Sequence, residues 1–198
     1  MDKRRVDDFI GNLVACLAFR RMKMLEYTTG LDEADALLLF PLRRDAKGRY
    51  CITCNAGLRF KNLPSFSETE PGVQDPHILM PLHLLMTDGS FGEWTFTNEA
   101  SLTQLMPIIL QKIEQFAIPF FDSYSRMDKV FERLESTNDW FLLTPEQRIA
   151  LLAAIRYNQG EKTTAIKMLD DALSERANAL PKKRRLIGRM RNALLVSQ

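Results

Sequence analysis

The chain has 198 residues, 45% apolar and 26% charged, which is enough apolar material for a packed core and excludes a disordered polymer. No apolar run reaches the ~18 residues of a membrane span, and Asp7 and Asp8 break up the only stretch that could serve as a secretory leader. The net charge of +2 hides a division: all 25 acids and 20 of the 27 cations lie in residues 1–175, a balance of −5, whereas residues 176–198 hold seven cations and no acid. The three cysteines provide no disulfide framework and suit a reducing compartment, so a cytoplasmic address is expected.

In chain order, residues 3–22 predict a helix, because Val6, Phe9, Ile10, Leu13, Val14 and Leu17 recur near a 3.6-residue period, and Arg20, Arg21 and Lys23 suit its C-terminal end. Residues 26–35 read as a polar turn. Residues 36–42 and 50–60 flank Asp45-Ala-Lys-Gly48 and predict a β-hairpin, in which Pro41 marks an edge or a bulge. Residues 61–76, with three prolines and no apolar period, predict a surface loop. Residues 78–86 read as a strand interrupted at Pro81, and residues 88–92 as a turn.

The most legible stretch follows. Trp94 and Phe96 alternate with Thr95 and Thr97 as in a half-buried strand, and Asn98 offers a cap to a helix carrying Leu102, Leu105, Met106, Ile109, Ile113 and Phe116. Pro107 is expected to kink that helix. Trp94, Phe96, Phe116, Phe120 and Phe121 fall on faces expected to be buried. A further helix is predicted from Asp122 or Ser123 to Leu134. Thr144-Pro145-Glu146 starts another in the expected way, a capping hydroxyl, a proline and an acid, and Gly160 stops it. Its stripe is Ile149, Leu152, Ala153 and Tyr157, and a partner helix carries Ala165, Ile166, Leu169, Ala172 and Leu173. Residues 182–196 predict a last amphipathic helix, with Leu186, Ile187, Met190 and Leu194 opposite Lys183, Arg184, Arg185, Arg189 and Arg191.

Two resemblances rest on these residues. Phe19-Arg20, Asn55-Ala-Gly57, Trp94 and Ile118-Pro-Phe-Phe121 make residues 1–137 similar to the domain-of-unknown-function family 4304, a functionally uncharacterised group whose members include some near toxin or defence genes. That resemblance implies a leaning toward an immunity or antitoxin-like role. Tyr157-Asn-Gln-Gly160, Ala165-Ile166 and Ala172-Leu173 resemble a single tetratricopeptide repeat. A solenoid needs roughly three or more copies to cover its faces. One copy is therefore expected to act as a covering helix pair or a partner groove.

Catalytic signals are weak. Cys51-x-x-Cys54 with His77 and His83 has the composition of a zinc set, but residues i and i+3 on a strand face opposite ways and no turn residue separates the cysteines. Acids cluster at Asp32, Glu33 and Asp35 and at Glu68 and Glu70 without a nucleophile or a phosphate loop beside them. No catalytic residue, cofactor or metal is assigned.

The expected fold is α+β: a small antiparallel sheet with helices packed on one face over residues 1–137, then a helical extension over 138–198 packed on it. The expected function is non-enzymatic binding of another protein, such as a toxin, through Lys182, Lys183, Arg184, Arg185, Arg189 and Arg191 or through Asp32, Glu33 and Asp35. The alternative is a nucleic-acid-associated regulator using the basic C-terminal helix, whose binding would weaken steeply with salt. That helix contains no aromatic residue for base stacking. A merely solvated helix, docking of the basic helix on the chain's own acidic body, or docking on an anionic membrane surface is also open.

Overall fold

A computed structural model describes residues 2–66, 75–86, 92–136, 141–175 and 181–196. The chain is α+β, with the strands among the described residues in two small sheets and the C-terminal region helical. It forms two compact units, Met1–Leu58 with Leu79–Ser125, and Arg59–Ile78 with Arg126–Gln198. This division differs from the expected one at 137/138. The helical unit starts earlier and includes a strip from the middle of the chain.

The first unit opens with α1 (Lys3–Ala15), capped by Asp2, whose side chain accepts the Arg5 N–H at 2.9 Å. Val6, Ile10 and Val14 are fully buried, and α1 packs beside α3 (Glu99–Lys112). The predicted helix to residue 22 is too long. Ala18 takes a left-handed φ of 61°, which ends helical propagation, and the cations expected at the helix end form a strand instead, β1 (Arg20–Lys23). Residues 26–35 are likewise no turn. They supply β2 (Glu26–Gly30) and the start of β3 (Ala34–Leu39), paired antiparallel with Thr28 opposite Leu37. Tyr27 is buried against Phe40, with ring centroids 5.9 Å apart, so burial of one aromatic outweighs the polar composition around it.

The predicted hairpin forms, and each arm is divided. β4 (Leu42–Arg44) pairs with β5 (Tyr50–Thr53) around the turn, where Asp45 accepts the Lys47 and Arg49 N–H groups at 2.9 Å and Gly48 adopts φ 76°. Pro41 stands where the chain leaves β3 for β4, and Cys54 where it leaves β5 for β6 (Asn55–Phe60). Both arms thereby pass between sheets, which agrees with proline's exclusion from a ladder interior. The sheet orders are β1-β2-β3-β6-β7, with β7 at Ile78–Pro81, and β4-β5-β8, with β8 at Glu93–Phe96.

In β8 Trp94 and Phe96 are buried and Thr95 exposed, as the alternation predicts, and Phe96 stacks on Tyr50 at 5.4 Å. After Pro81 the chain makes a single helical turn, α2 (Leu82–Leu85), in place of the expected strand continuation. The predicted turn at 88–92 lies outside the described residues except for Gly92.

Asn98 caps α3, in a capping box with Ser101. The helix then runs through a π segment (Ile113–Ala117) into α4 (Ile118–Tyr124), so Ile118-Pro-Phe-Phe121 is helical. Pro119 has no N–H and its ring crowds the preceding carbonyls. The widened π turn, closed by Ile118 N–H on the Ile113 carbonyl, lies immediately before it. Phe120 and Phe121 are buried, and Phe121 meets Phe19 at 6.0 Å. Phe116 is only half-buried, with the Lys112 ammonium 5.3 Å from its ring centre, which corrects its placement in the core.

The second unit holds α5 (Met127–Ser136), α6 (Pro145–Asn158), α7 (Lys162–Glu175) and α8 (Pro181–Val196). Thr144 caps α6 and Gly160, at φ 91°, ends it, as expected. The buried apolar set of α6 is Ala150, Leu151, Ala153, Ala154 and Ile155, with Glu146 buried beside it in the first turn; the apolar set is displaced from the predicted stripe, because α5, α7 and α8 all pack on this helix. Ala165, Leu169 and Ala172 of α7 are buried. The strip from Arg59 is less polar in place than in composition: Leu63 and Phe66 are buried. No helix among the described residues is long and apolar enough to cross a membrane.

Candidate functional site

Helix α8 presents two faces. Ile187, Met190 and Leu194 are 0–3% exposed, and the helix packs on α6 and α7 within its unit. On the other side Arg184 and Arg185 are exposed. The remaining predicted cations divide differently. Arg191 pairs with Asp170 of α7, and Arg189 donates to the Phe66 carbonyl at 2.9 Å, so both hold the helix to its own unit. The side chains of Lys182 and Lys183 lie outside the described residues.

Asp32 and Glu33 lie in the turn between β2 and β3, and Asp35 pairs in register with Gly30. All three belong to the first unit, whereas the cations belong to the second. Glu68 and Glu70 lie outside the described residues.

His77 has a structural task. It is 2% exposed; its Nδ1 accepts the Phe60 N–H at 3.0 Å, which leaves Nε2–H to donate to the Pro64 carbonyl at 3.0 Å. Phe66 meets the ring edge-on at 5.2 Å. Burial, which disfavours the charged ring, lowers its pKa to about 4, partly opposed by the Pro64 hydrogen bond. With both ring nitrogens engaged, His77 has no lone pair for a metal. Cys51 is on β5 and Cys54 beyond its end; both are buried free thiols, and burial pushes the Cys54 thiol far above its ordinary range. Among the described residues no group of three or more His, Cys, Asp or Glu side chains could hold a metal ion.

One ionisable cluster escapes the sequence reading. Asp7 is 3% exposed, and its Oδ1 accepts the Leu25 N–H at 2.8 Å and faces the Tyr27 hydroxyl, which is also 2.6 Å from the Asp7 carbonyl. Its Oδ2 is 3.3 Å from Arg21 Nε, and Arg21 also bridges to Asp8 at 2.8 Å. Burial, followed by the hydrogen bond to Asp7, raises the Tyr27 pKa well above the phenol's ordinary value, so the hydroxyl stays protonated. Both Asp7 oxygens are thereby engaged, and the cluster ties α1 to the β1–β2 hairpin. A signal for it was available: Asp7 stands at i−3 and i−7 from the buried Ile10 and Val14, which places a carboxylate on the apolar face. Beside the tie lies an open trough of about 550 Å³, lined by Asp8, Gly11, Asn12, Ala15, Phe19, Arg20, Arg21 and Tyr27.

Compared with protein-family models, curated proteins and solved structures, the chain matches none.

Proposed function

We propose that this chain is a non-enzymatic protein-binding protein that offers the cationic face of α8 to an acidic surface on its partner. The observation that carries the reading is the division of α8: an apolar stripe locked onto α6 and α7, with Arg184 and Arg185 exposed on a helix that has no acid. Desolvated arginines are effective anchors at protein interfaces, and complementary charge speeds encounter. The saturated hydrogen bonding of Asp7 and His77 supports binding rather than catalysis. The resemblance of residues 1–137 to family 4304 supports a narrower form, an immunity or antitoxin-like neutraliser whose partner is a toxin, acting in the cytoplasm.

The test is affinity purification at low salt with the wild-type chain and an Arg184→Glu/Arg185→Glu variant. A specific protein retained by the wild type and lost from the variant is the expected result. No specific protein on either, or equal retention on both, refutes the reading. Retention of nucleic acid in place of protein, with a salt slope reduced in the variant, establishes the alternative regulator.

A further inference from the structure

Within the second unit, the strip at 61–64, the C-terminal turn of α6 and the end of α8 line a cavity of about 470 Å³, room enough for a small organic molecule. Leu63 and Leu194, both buried, and Pro64 give it apolar walls. Tyr157 of α6 stands in the same lining, and its hydroxyl is buried with no hydrogen-bond partner among the described residues. The Lys162 ammonium lies 5.2 Å from the centre of the Tyr157 ring, a contact that engages the ring and leaves the hydroxyl unserved. A phenol hydroxyl taken out of water and paired with nothing has lost its hydration without return, so an acceptor from outside the fold would be bound with that cost already met.

The other polar residues of the lining narrow the class of ligand. Asn62 and Asn158 add two side-chain amides, each able to donate and accept, and Asn158 uses an N–H only on the soft sulfur of Met127 at 3.7 Å. Among the described residues Lys61 is the one charged member of the lining, and it already has a partner, so an ionic ligand would shed hydration here without gaining a free counter-charge. We propose that this cavity binds a small, uncharged molecule in which an amide is joined to a short aliphatic chain. Its carbonyl accepts the Tyr157 hydroxyl, its amide pairs with those of Asn62 and Asn158, and its aliphatic part lies against Leu63, Pro64 and Leu194. This goes beyond the protein-binding reading and makes no use of the exposed arginines of α8.

The probe is N-acetyl-leucinamide, titrated against the full chain while backbone amide resonances are followed. Its controls are N-acetyl-leucine, which has the same shape but a carboxylate, and N-acetyl-glycinamide, which lacks the aliphatic chain. The leucinamide is expected to bind in the millimolar range, as a ligand of its size should, and roughly fivefold tighter than either control, moving resonances at 61–64, 157–158 and 193–194. Tyr157→Phe is the decisive variant, because it removes only the unpartnered oxygen. It should weaken the leucinamide roughly fivefold while leaving the denaturation midpoint of the free chain unchanged or raised. Asn62→Ala, an exposed change, should weaken it by a smaller factor. No saturable binding, equal binding of the three compounds, or shifts that avoid the cavity lining overturn the proposal. So does a Tyr157→Phe variant that binds as the wild type does, or whose free chain is less stable, since the hydroxyl would then have a partner within the fold. Arg184→Glu/Arg185→Glu should leave the titration unchanged; if it abolishes leucinamide binding, the cavity is not the site, whatever the affinity purification yields.

Discussion

Strand β1 in one unit and helix α8 in the other both carry exposed arginines, yet they are held by different forces. Helix α8 sits on three buried apolar side chains, Ile187, Met190 and Leu194, with Arg189 and Arg191 adding polar contacts at its flanks. Strand β1 has no buried side chain of its own and depends on Asp7, Arg21 and the N–H of Leu25. Apolar anchoring is non-directional and tolerant of repacking. A buried polar tie is directional, and losing one member leaves the others unsatisfied. The β1 surface should therefore fail by single substitutions and the α8 surface by loss of volume.

The largest expected effect is at Asp7. Asp7→Ala leaves the Leu25 N–H without its acceptor and takes from the Tyr27 hydroxyl one of two acceptors, the residue-7 carbonyl remaining; with hydrogen bonds to a charged group worth roughly 1.5–3 kcal/mol each, the loss is about 4 kcal/mol. Chemical denaturation measures it, and hydrogen exchange at residues 20–28 should accelerate before that of α8. A loss below about 1 kcal/mol would show that the tie does not hold β1. Next is Ile187→Ala, which removes a fully buried side chain between helices and should cost about 3 kcal/mol. Its exchange signature should appear in α6, α7 and α8 and spare residues 20–28.

The third test separates the units by pH. His77 is held neutral in the folded chain, its pKa lowered from 6.5 to about 4. Between those values the unfolded chain binds a proton that the folded chain does not, so the His77 contribution is full above pH 6.5 and is lost as pH falls toward 4. At about 1.4 kcal/mol per pH unit the window is worth roughly 3 kcal/mol at most. The difference in stability between wild type and His77→Gln, measured from pH 7 to pH 4, should shrink along that slope. A difference independent of pH would mean that His77 is not buried neutral.

What could be read from the chain in advance follows the range of the interactions. The Trp94–Phe96 alternation, the Asn98 and Thr144 caps, the Asp45–Gly48 turn and the apolar face of α8 each involve neighbours within a few positions, and all form as expected. The strands at Arg20–Lys23 and Glu26–Gly30 were hidden because their stabilising partners are distant: Asp7 is 18 residues from Leu25, and Tyr27 is buried by Phe40. Local composition there is polar and cationic, and tertiary pairing overrides it. His77 presents the same difficulty. Its partners Phe60 and Pro64 are 17 and 13 residues away, so nothing local to the histidine shows the structural task of its ring. For the site, the run of cations was legible but its division was not: Arg184 and Arg185 are exposed, whereas Arg189 and Arg191 engage Phe66 and Asp170, 123 and 21 residues distant.

Arg191 gives the smallest effect and the closest check on the comparison. Its pair with Asp170 lies at the flank of α8, with the two side chains 34% and 47% exposed, so solvent screens most of the attraction and the pair should contribute no more than about 1 kcal/mol. Arg191→Ala should therefore change stability by less than about 1 kcal/mol, and by less still at high salt, whereas Arg21→Ala should keep a salt-insensitive part from its buried partner Asp7 beside a screened part from exposed Asp8. Denaturation of both variants at low and high salt measures this. If Arg191→Ala proved as costly as Asp7→Ala, α8 would be held by charge as β1 is. Its arginines would then be components of the fold, and the proposal that its outer face is available to a partner would lose its physical basis.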